Sequence, residues 1–433
     1  MNYTIPLAQD HIEIARSANP QSEWLYSPHL ITLNCGRIVA SYDVSCKNCY
    51  VKVSDDGGTT WVEKHSFVMF HARLFLDGER IYILGHDRNS IRISYSDDNG
   101  ETWSELFQIG ADGLWHQAPC NVCYSNGYVY LVMEKAIRLD SDDPPFGNYW
   151  TPNILGLVVM RGKLGSDLTN EDNWLFSNTV RFRDIIKNEN ELEWFGIPFL
   201  KDAWLPENQV GTMDAKDYQN HYDYEKDEEG IPFYTHPIGW LETNIVQIRD
   251  PHHFWYDKTG KTFHLFSRGH TAGSGYCCVM KAVERIRDGK EAIDIECETV
   301  PSGKKILFLP MPGGQMKFYI LYDEKTKLYW LLSTQSTDTM CRIEHFPENR
   351  YNIPCDERDR LALHFSKNMV DWVFAGLVAK SGNSGQARHY ASMDIDGEDL
   401  IIASRSGDKD ALNAHCGNLI TFHRIKNFRE LVY

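Results

Sequence analysis

Six stretches of the chain share one pattern: an apolar run, a tight polar turn, then a second apolar run. They are Ser27–Asp43 around Asn34-Cys-Gly, His71–Asp87 around Asp77-Gly, and Gln117–Lys135 around Ser125-Asn-Gly. Later come Asp250–His270 around Lys258-Thr-Gly, Gln315–Gln335 around Asp323-Glu-Lys-Thr, and Gln386–Asp408 around Asp396-Gly-Glu-Asp. Short apolar runs punctuated by Gly, Asn and Asp predict β-hairpins, because those residues accept the backbone of a tight turn. Asn418–Ile425 predicts one more strand behind the last hairpin. His11-Ile-Glu-Ile-Ala predicts a strand able to complete the same sheet from the other end of the sequence.

Two further turns repeat almost letter for letter. Residues 54–61 read Ser-Asp-Asp-Gly-Gly-Thr-Thr-Trp, and residues 96–103 read Ser-Asp-Asp-Asn-Gly-Glu-Thr-Trp. Asp56 and Asp98 are placed to accept backbone N–H groups, as in an Asx-turn. Gly58 and Gly100 suit positive φ. Trp61 and Trp103 offer a large apolar face for packing between sheets. Each turn follows a β-rich run, Tyr50-Val-Lys-Val or Ser90-Ile-Arg-Ile-Ser-Tyr, so each is a hairpin tip. Worn copies occur at Ser166–Trp174 and Ser366–Trp372.

The repeated turn resembles the Asp box of the sialidase-type, or BNR-repeat, β-propellers. The resemblance implies an all-β fold: a six-bladed, sialidase-like β-propeller of four-stranded antiparallel blades. It implies one domain over residues 1–433, with an inserted cap around 181–240. Asp boxes join the third and fourth strands of a blade. They therefore fall on the face opposite the starts of first strands and the ends of second strands, and read as structural clasps. The cap is rich in aromatics (Trp194, Trp204, Tyr218 and Tyr222 among them) that suit stacking on sugar rings.

At the strand mouths of the other face the sequence turns to His, Arg, Asp and Tyr, residues that carry acid–base and anion-binding chemistry. The resemblance implies a carbohydrate held there, on the propeller axis. Where sialidases open the first blade with Arg-Ile-Pro, this chain has Tyr26-Ser-Pro-His29. A uronic-acid or otherwise anionic sugar fits the remaining cations, Lys135, Arg268, Lys317, Arg388 and Arg405. His71, His270 and Gln315 complete the expected substrate-binding set. Glycosidases use paired carboxyl groups, and Asp43, Asp87 and Glu134 follow one another on consecutive blades. His116, His252 and Tyr390 are candidates of the type used by propellers that cut uronate-containing glycans.

The expected activity is hydrolysis of a glycosidic bond in an acidic or decorated glycan. The alternatives are a lyase cutting a uronic-acid glycan by β-elimination and a non-catalytic carbohydrate-binding propeller. The formal charge of −16 over 433 residues opposes nucleic acid and anionic lipid as partners. No apolar run reaches the roughly eighteen residues of a membrane span. Eleven cysteines cannot all pair within one chain. Two CxxC pairs occur, Cys46/Cys49 and Cys120/Cys123. The second lies in an extended stretch where residues three apart face opposite sides, so free thiols are expected and neither a metal nor another cofactor. The first residues lack the basic and apolar regions of a secretory signal, which fits a cytoplasmic protein or a trimmed secreted or periplasmic one.

Overall fold

A computed structural model describes residues 4–110, 113–137, 154–186, 189–194, 239–270, 275–337, 357–383 and 386–433. Nearly all of their regular structure is β. Helix is limited to short segments such as Phe182–Ile186, and no helix is long and apolar enough to cross a membrane.

Among the described residues the strands form seven sheets, one more than the six expected. Six of them contain a four-strand antiparallel meander. The first runs Leu25–Thr32, Ile38–Val44, Asn48–Ser54 and Val62–Phe67; the second runs Phe70–Asp77, Arg80–His86, Ile91–Ser96 and Phe107–Gly110. The third uses Leu114–His116, Tyr128–Ala136, Leu155–Lys163 and Trp174–Phe176. The fourth uses Gly239–Val246, Thr262–His270, Tyr276–Arg287 and Lys290–Glu296. The fifth uses Tyr319–Asp323, Leu328–Thr334, Arg360–Ser366 and Val373–Lys380. The sixth joins Ala387–Asp396, Asp399–Gly407 and Leu419–Ile425 to the N-terminal strand Ile12–Arg16. The seventh sheet is small: Leu192–Glu193, Lys305–Ile306 and Glu298–Thr299.

The fourth meander begins earlier than the sequence pattern indicated. Its first strand is Gly239–Val246, not a run starting at Asp250. Asp250 instead makes a turn, its Oδ1 accepting the N–H of His252 at 2.9 Å. Of the expected cap, Val180–Glu193 is partly described and Trp194 stacks on Phe308 at 5.8 Å. Residues 195–238, with the remaining cap aromatics, lie outside the described residues.

A distinct apolar cluster fills each junction between successive meanders. Phe75, Tyr82 and Leu84 of the second meet Val129, Leu131 and Met133 of the third, for example. Ile14, Ile401 and Phe422 of the sixth meet Leu30, Ile38 and Tyr42 of the first. Burial of these faces is the main driving force holding the sheets side by side.

Polar bonds between first strands run in the same cyclic order. His29 Nδ1 accepts the Leu74 N–H at 3.2 Å, and Arg73 donates to the Val132 carbonyl at 3.0 Å. Asn121 bonds both the N–H and the carbonyl of Ile245 (2.8 and 2.9 Å), and Asn244 does the same for Ile320 N–H and Phe318 O. Lys317 donates to the Ala391 carbonyl at 2.7 Å, and Asp394 accepts the Thr32 N–H at 2.7 Å. Each first strand is thus tied to the next, and the sixth to the first.

The repeated turns are clasps at one end of the sheets. Ser54 Oγ accepts the Gly58 N–H at 2.8 Å, Asp56 Oδ1 accepts the Thr60 N–H at 2.8 Å, and Trp61 Nε1 donates to the Gly58 carbonyl at 3.0 Å. Ser96 and Asp98 repeat the first two bonds at 2.9 Å each. Trp61 then packs edge-on against Phe422, 5.6 Å away on the sixth meander.

Candidate functional site

Four first strands carry the same irregularity at the end away from the Asp boxes. Pairing with the second strand slips between Tyr26 and His29, Phe70 and Arg73, Leu241 and Asn244, and His389 and Ser392. Within each slip one non-glycine residue has positive φ: Ser27 at 51°, His71 at 54°, Glu242 at 60° and Tyr390 at 49°. Left-handed backbone at such residues costs about 1–3 kcal/mol and persists where the surroundings enforce it. Each bulge re-aims a side chain that an ordinary strand would point between the sheets.

Two of these side chains meet. Arg268 Nη1 donates to the Tyr390 hydroxyl at 2.7 Å and lies 3.3 Å from Glu242 Oε2, while its Nε donates to the Gln315 carbonyl at 2.8 Å. Glu242 and Arg268 are almost wholly buried. Burial pushes the Tyr390 phenol above its ordinary value; Arg268 opposes this, and a hydrogen bond to Glu242 adds to it. Two more guanidinium groups flank the ring, Arg405 at 5.2 Å and Arg358 at 5.9 Å from its centroid. Arg405 also stacks on Tyr26 at 3.8 Å. Arg358 Nη1 lies 3.2 Å from His389 Nδ1. Three cations around one carboxylate leave a net positive pocket in a chain that is acidic as a whole. Ala118 and Met316 pack against Tyr390 as the apolar floor.

The second and third meanders contribute imidazoles. The rings of His71, His86 and His116 lie 5.4, 5.7 and 6.4 Å apart pairwise. Burial, reinforced by nearby cations, holds His71 and His86 well below the ordinary histidine value, so both are neutral. His116 is partly exposed, and its Nδ1 lies 2.7 Å from Oε2 of the buried Glu134. Glu134 Oε1 is approached at 3.3 Å by the Thr243 N–H and hydroxyl. Asp43 accepts the His71 N–H at 2.6 Å, and burial pushes its carboxyl well above the usual range. Arg405 acts electrostatically on both Asp43 and His71, so the two halves share one field. Cys46 Sγ sits 3.6 Å from His71 Nε2, its thiol pushed up to about 12 by burial. Among the described residues no set of three or more His, Cys, Asp or Glu is arranged to hold a metal ion.

The structure therefore gathers Asp43, His71, His116, Glu134, Arg268, Tyr390 and Arg405 at one end of the ring. Gln315 and Lys317 lie just beneath, buried. Four expected residues are elsewhere. Asp87 closes its own turn on Ser90 and pairs with Arg92 at 2.8 Å. His252 is exposed in the Asp250 turn, beside His253, which bonds Asn368 O in a worn Asp box; it lies at the clasp end. Arg388 spends its Nη1 on the carbonyls of Ala387 and Gly407 in its own sheet. Lys135 lies over Trp115, 5.2 Å from the ring, rather than beside Glu134. His270 ends the strand Thr262–His270, and its side chain lies outside the described residues.

Sequence reasoning missed Glu242 and Arg358. Glu242 was lost with the misplaced first strand of the fourth meander. A signal for it exists. Tyr26-Ser27-Pro, Phe70-His71-Ala, Leu241-Glu242-Thr and His389-Tyr390-Ala align as one motif, with a re-aimed residue followed by a small one. Arg358 precedes its strand without any turn signal.

No protein-family model matches the chain, and no curated protein sequence does. Solved structures do. A Hadza microbial sialidase superposes with a TM-score of 0.52 at 13% identity, over 96% of this chain and 68% of that one. Trypanosoma rangeli sialidase in complex with the inhibitor DANA gives 0.51 at 11% identity, over 98% of this chain and 60% of that one. A Penicillium chrysogenum alpha-L-arabinanase complexed with arabinobiose gives 0.47 at 12% identity, over 98% and 99%. With its meanders and clasps, the likeness to the two sialidases shows that this chain has the sialidase-like β-propeller fold.

Proposed function

We propose that the chain is a glycoside hydrolase acting on an anionic sugar, with the six meanders as the blades of one propeller and the segment around 181–240 as its cap. The observation that carries this reading is the Arg268–Tyr390–Glu242 cluster, built on two strained bulges. A phenol is a weak nucleophile until a base takes its proton. Glu242 is that base, and Arg268 stabilises the phenolate through its bond to the same oxygen. Tyrosine is a known alternative to the carboxylate nucleophile among sialidases, and the two sialidase neighbours share this fold.

Tyr390 attacks the anomeric carbon. The C–O bond to the leaving sugar breaks while His116, oriented by Glu134, gives its proton to the departing oxygen. Water, deprotonated by His116, then displaces the tyrosyl group, and the proton returns from Glu242 to Tyr390. The anomer is retained. Arg268, Arg358 and Arg405 supply the fork geometry that binds a carboxylate substituent.

The test is mass spectrometry with ultraviolet absorbance on products from sialate- and uronate-containing oligosaccharides. A gain of one water per cut supports the reading. An unsaturated-uronate chromophore would assign β-elimination to the same Tyr390 and His116. Absence of any product, with binding retained, would leave a carbohydrate-binding propeller.

A further inference from the structure

The Tyr390 bulge is supported from below by a charge. Lys317 is 1% exposed, and its Nζ donates to the Ala391 carbonyl at 2.7 Å. Ala391 follows Tyr390, and both fall in the slip where the strand has no ladder partner. Two other bulges are supported in the same way by uncharged groups. Ser41 Oγ donates to the Ala72 carbonyl at 3.4 Å, behind His71. Gln117 Nε2 donates to the Thr243 carbonyl at 3.1 Å, behind Glu242. Each donor comes from the preceding meander. An amide suffices at Glu242, so satisfying a bulge carbonyl does not itself call for a buried cation, which is costly to desolvate.

The groups facing Lys317 show what the charge adds. They are His29, Arg73, Cys120, Glu242 and the Tyr319 ring, 5.5 Å from Nζ. Burial holds His29 well below its ordinary value and pushes the Cys120 thiol up to about 12, so neither is charged near neutrality. The carboxylate in the set is Glu242.

We propose that Lys317 is a positioning residue for the nucleophile: its ammonium fixes the left-handed turn at Tyr390 through the Ala391 carbonyl and keeps Glu242 ionised as the proton acceptor. This rests on the reading of Tyr390 given above. Burial brings the Lys317 ammonium down to about 8. The charge is present below that value and lost above it, so turnover declines as pH rises through 8.

Two measurements test this. With aryl glycosides of sialic and uronic acids as probes, Lys317→Met lowers kcat by about 30-fold or more, leaves KM within about twofold, and removes the alkaline limb. Lys317→Arg keeps the charge and moves that limb out of range. Unchanged kcat and an unchanged limb in Lys317→Met would overturn the proposal. The second measurement needs no substrate. With 3-fluorotyrosine placed at position 390, the fluorine resonance should titrate near pH 8 in the otherwise unaltered protein and not in Lys317→Met. A flat response between pH 6.5 and 9.5, or the same titration in both, overturns the proposal. Should no probe be turned over, the hydrolase reading fails while the fluorine titration still decides the link between residues 317 and 390. Should Lys317→Met not fold, the parent titration and Lys317→Arg decide it.

Discussion

Arg268 Nη1 stands 2.7 Å from the Tyr390 hydroxyl, joining two meanders across 122 positions of sequence. The guanidinium is committed on both edges, to this oxygen and to the Gln315 carbonyl. Lysine cannot reproduce both bonds. Arg268→Lys is expected to lower kcat by about 10²-fold, the usual loss for one donor to a developing oxyanion. Tyr390→Phe is expected to lose at least about 10³-fold while folding normally. Initial rates and circular dichroism on the purified variants check both.

The His116–Glu134 pair makes a pH prediction. Burial raises the Glu134 carboxyl above its ordinary value, with the bond to His116 working against it. A raised carboxyl means that the folded protein keeps its proton longer than the unfolded chain does. Stability therefore falls as pH rises from the ordinary carboxylate value to the raised one. Glu134→Gln is expected to flatten that slope in urea titrations. It should also cut kcat by about 10²-fold or more, since an amide cannot stabilise the imidazolium.

The clasp of the first meander can be broken without touching the site. Gly58 has φ of 92°, and a Cβ there would lie 2.3 Å from the Phe422 ring. Gly58→Ala is expected to destabilise by about 2–4 kcal/mol, from backbone strain plus overpacking. Gly127 has φ of 79°, and a Cβ there would meet nothing within 4 Å. Gly127→Ala should therefore cost only about 1 kcal/mol, the backbone contribution alone. Chemical denaturation measures the difference, and turnover per folded molecule should be unchanged in both.

Acid sensitivity is expected from Asp323. Burial alone would raise its carboxyl, but two bonds from Arg429 at 2.9 Å each, with others from Thr326, bring it down to about 2. The stabilisation is present above the ordinary aspartate value and is lost as pH falls from there towards 2. Asp323→Asn should cost about 2 kcal/mol at neutral pH and much less at pH 2. Melting temperatures across that range check the sign.

Much of the fold could be read from local chemistry. The Asp56 and Asp98 turns are made by residues within eight positions of each other, so their geometry is written in one short stretch. The strand at His11–Ala15 was legible because an edge strand needs only an apolar stripe. The site was legible as residue types at strand mouths, not as geometry. Alternation along a strand says which face a side chain takes only while the period of two holds. The bulges at His71, Glu242 and Tyr390 break that period where the chemistry is. Asp87 and His252 went wrong for another reason: each is absorbed by an Asx-type turn whose hydrogen bonds a residue list does not show. Arg388 lost its expected role to two backbone carbonyls of its own sheet.

The sixth meander takes Ile12–Arg16 from one end of the sequence and Leu419–Ile425 from the other, paired antiparallel from Ile12↔Phe422 to Arg16↔Leu419. During synthesis the earlier strand must wait for nearly the whole remaining chain before its neighbour exists. Closure is then a late, long-range step of the kind that slows folding. Under tension the same arrangement acts as a buckle. Force applied at the two ends would load this one pair of strands first, along their length, and the ring would resist until that pair slid apart.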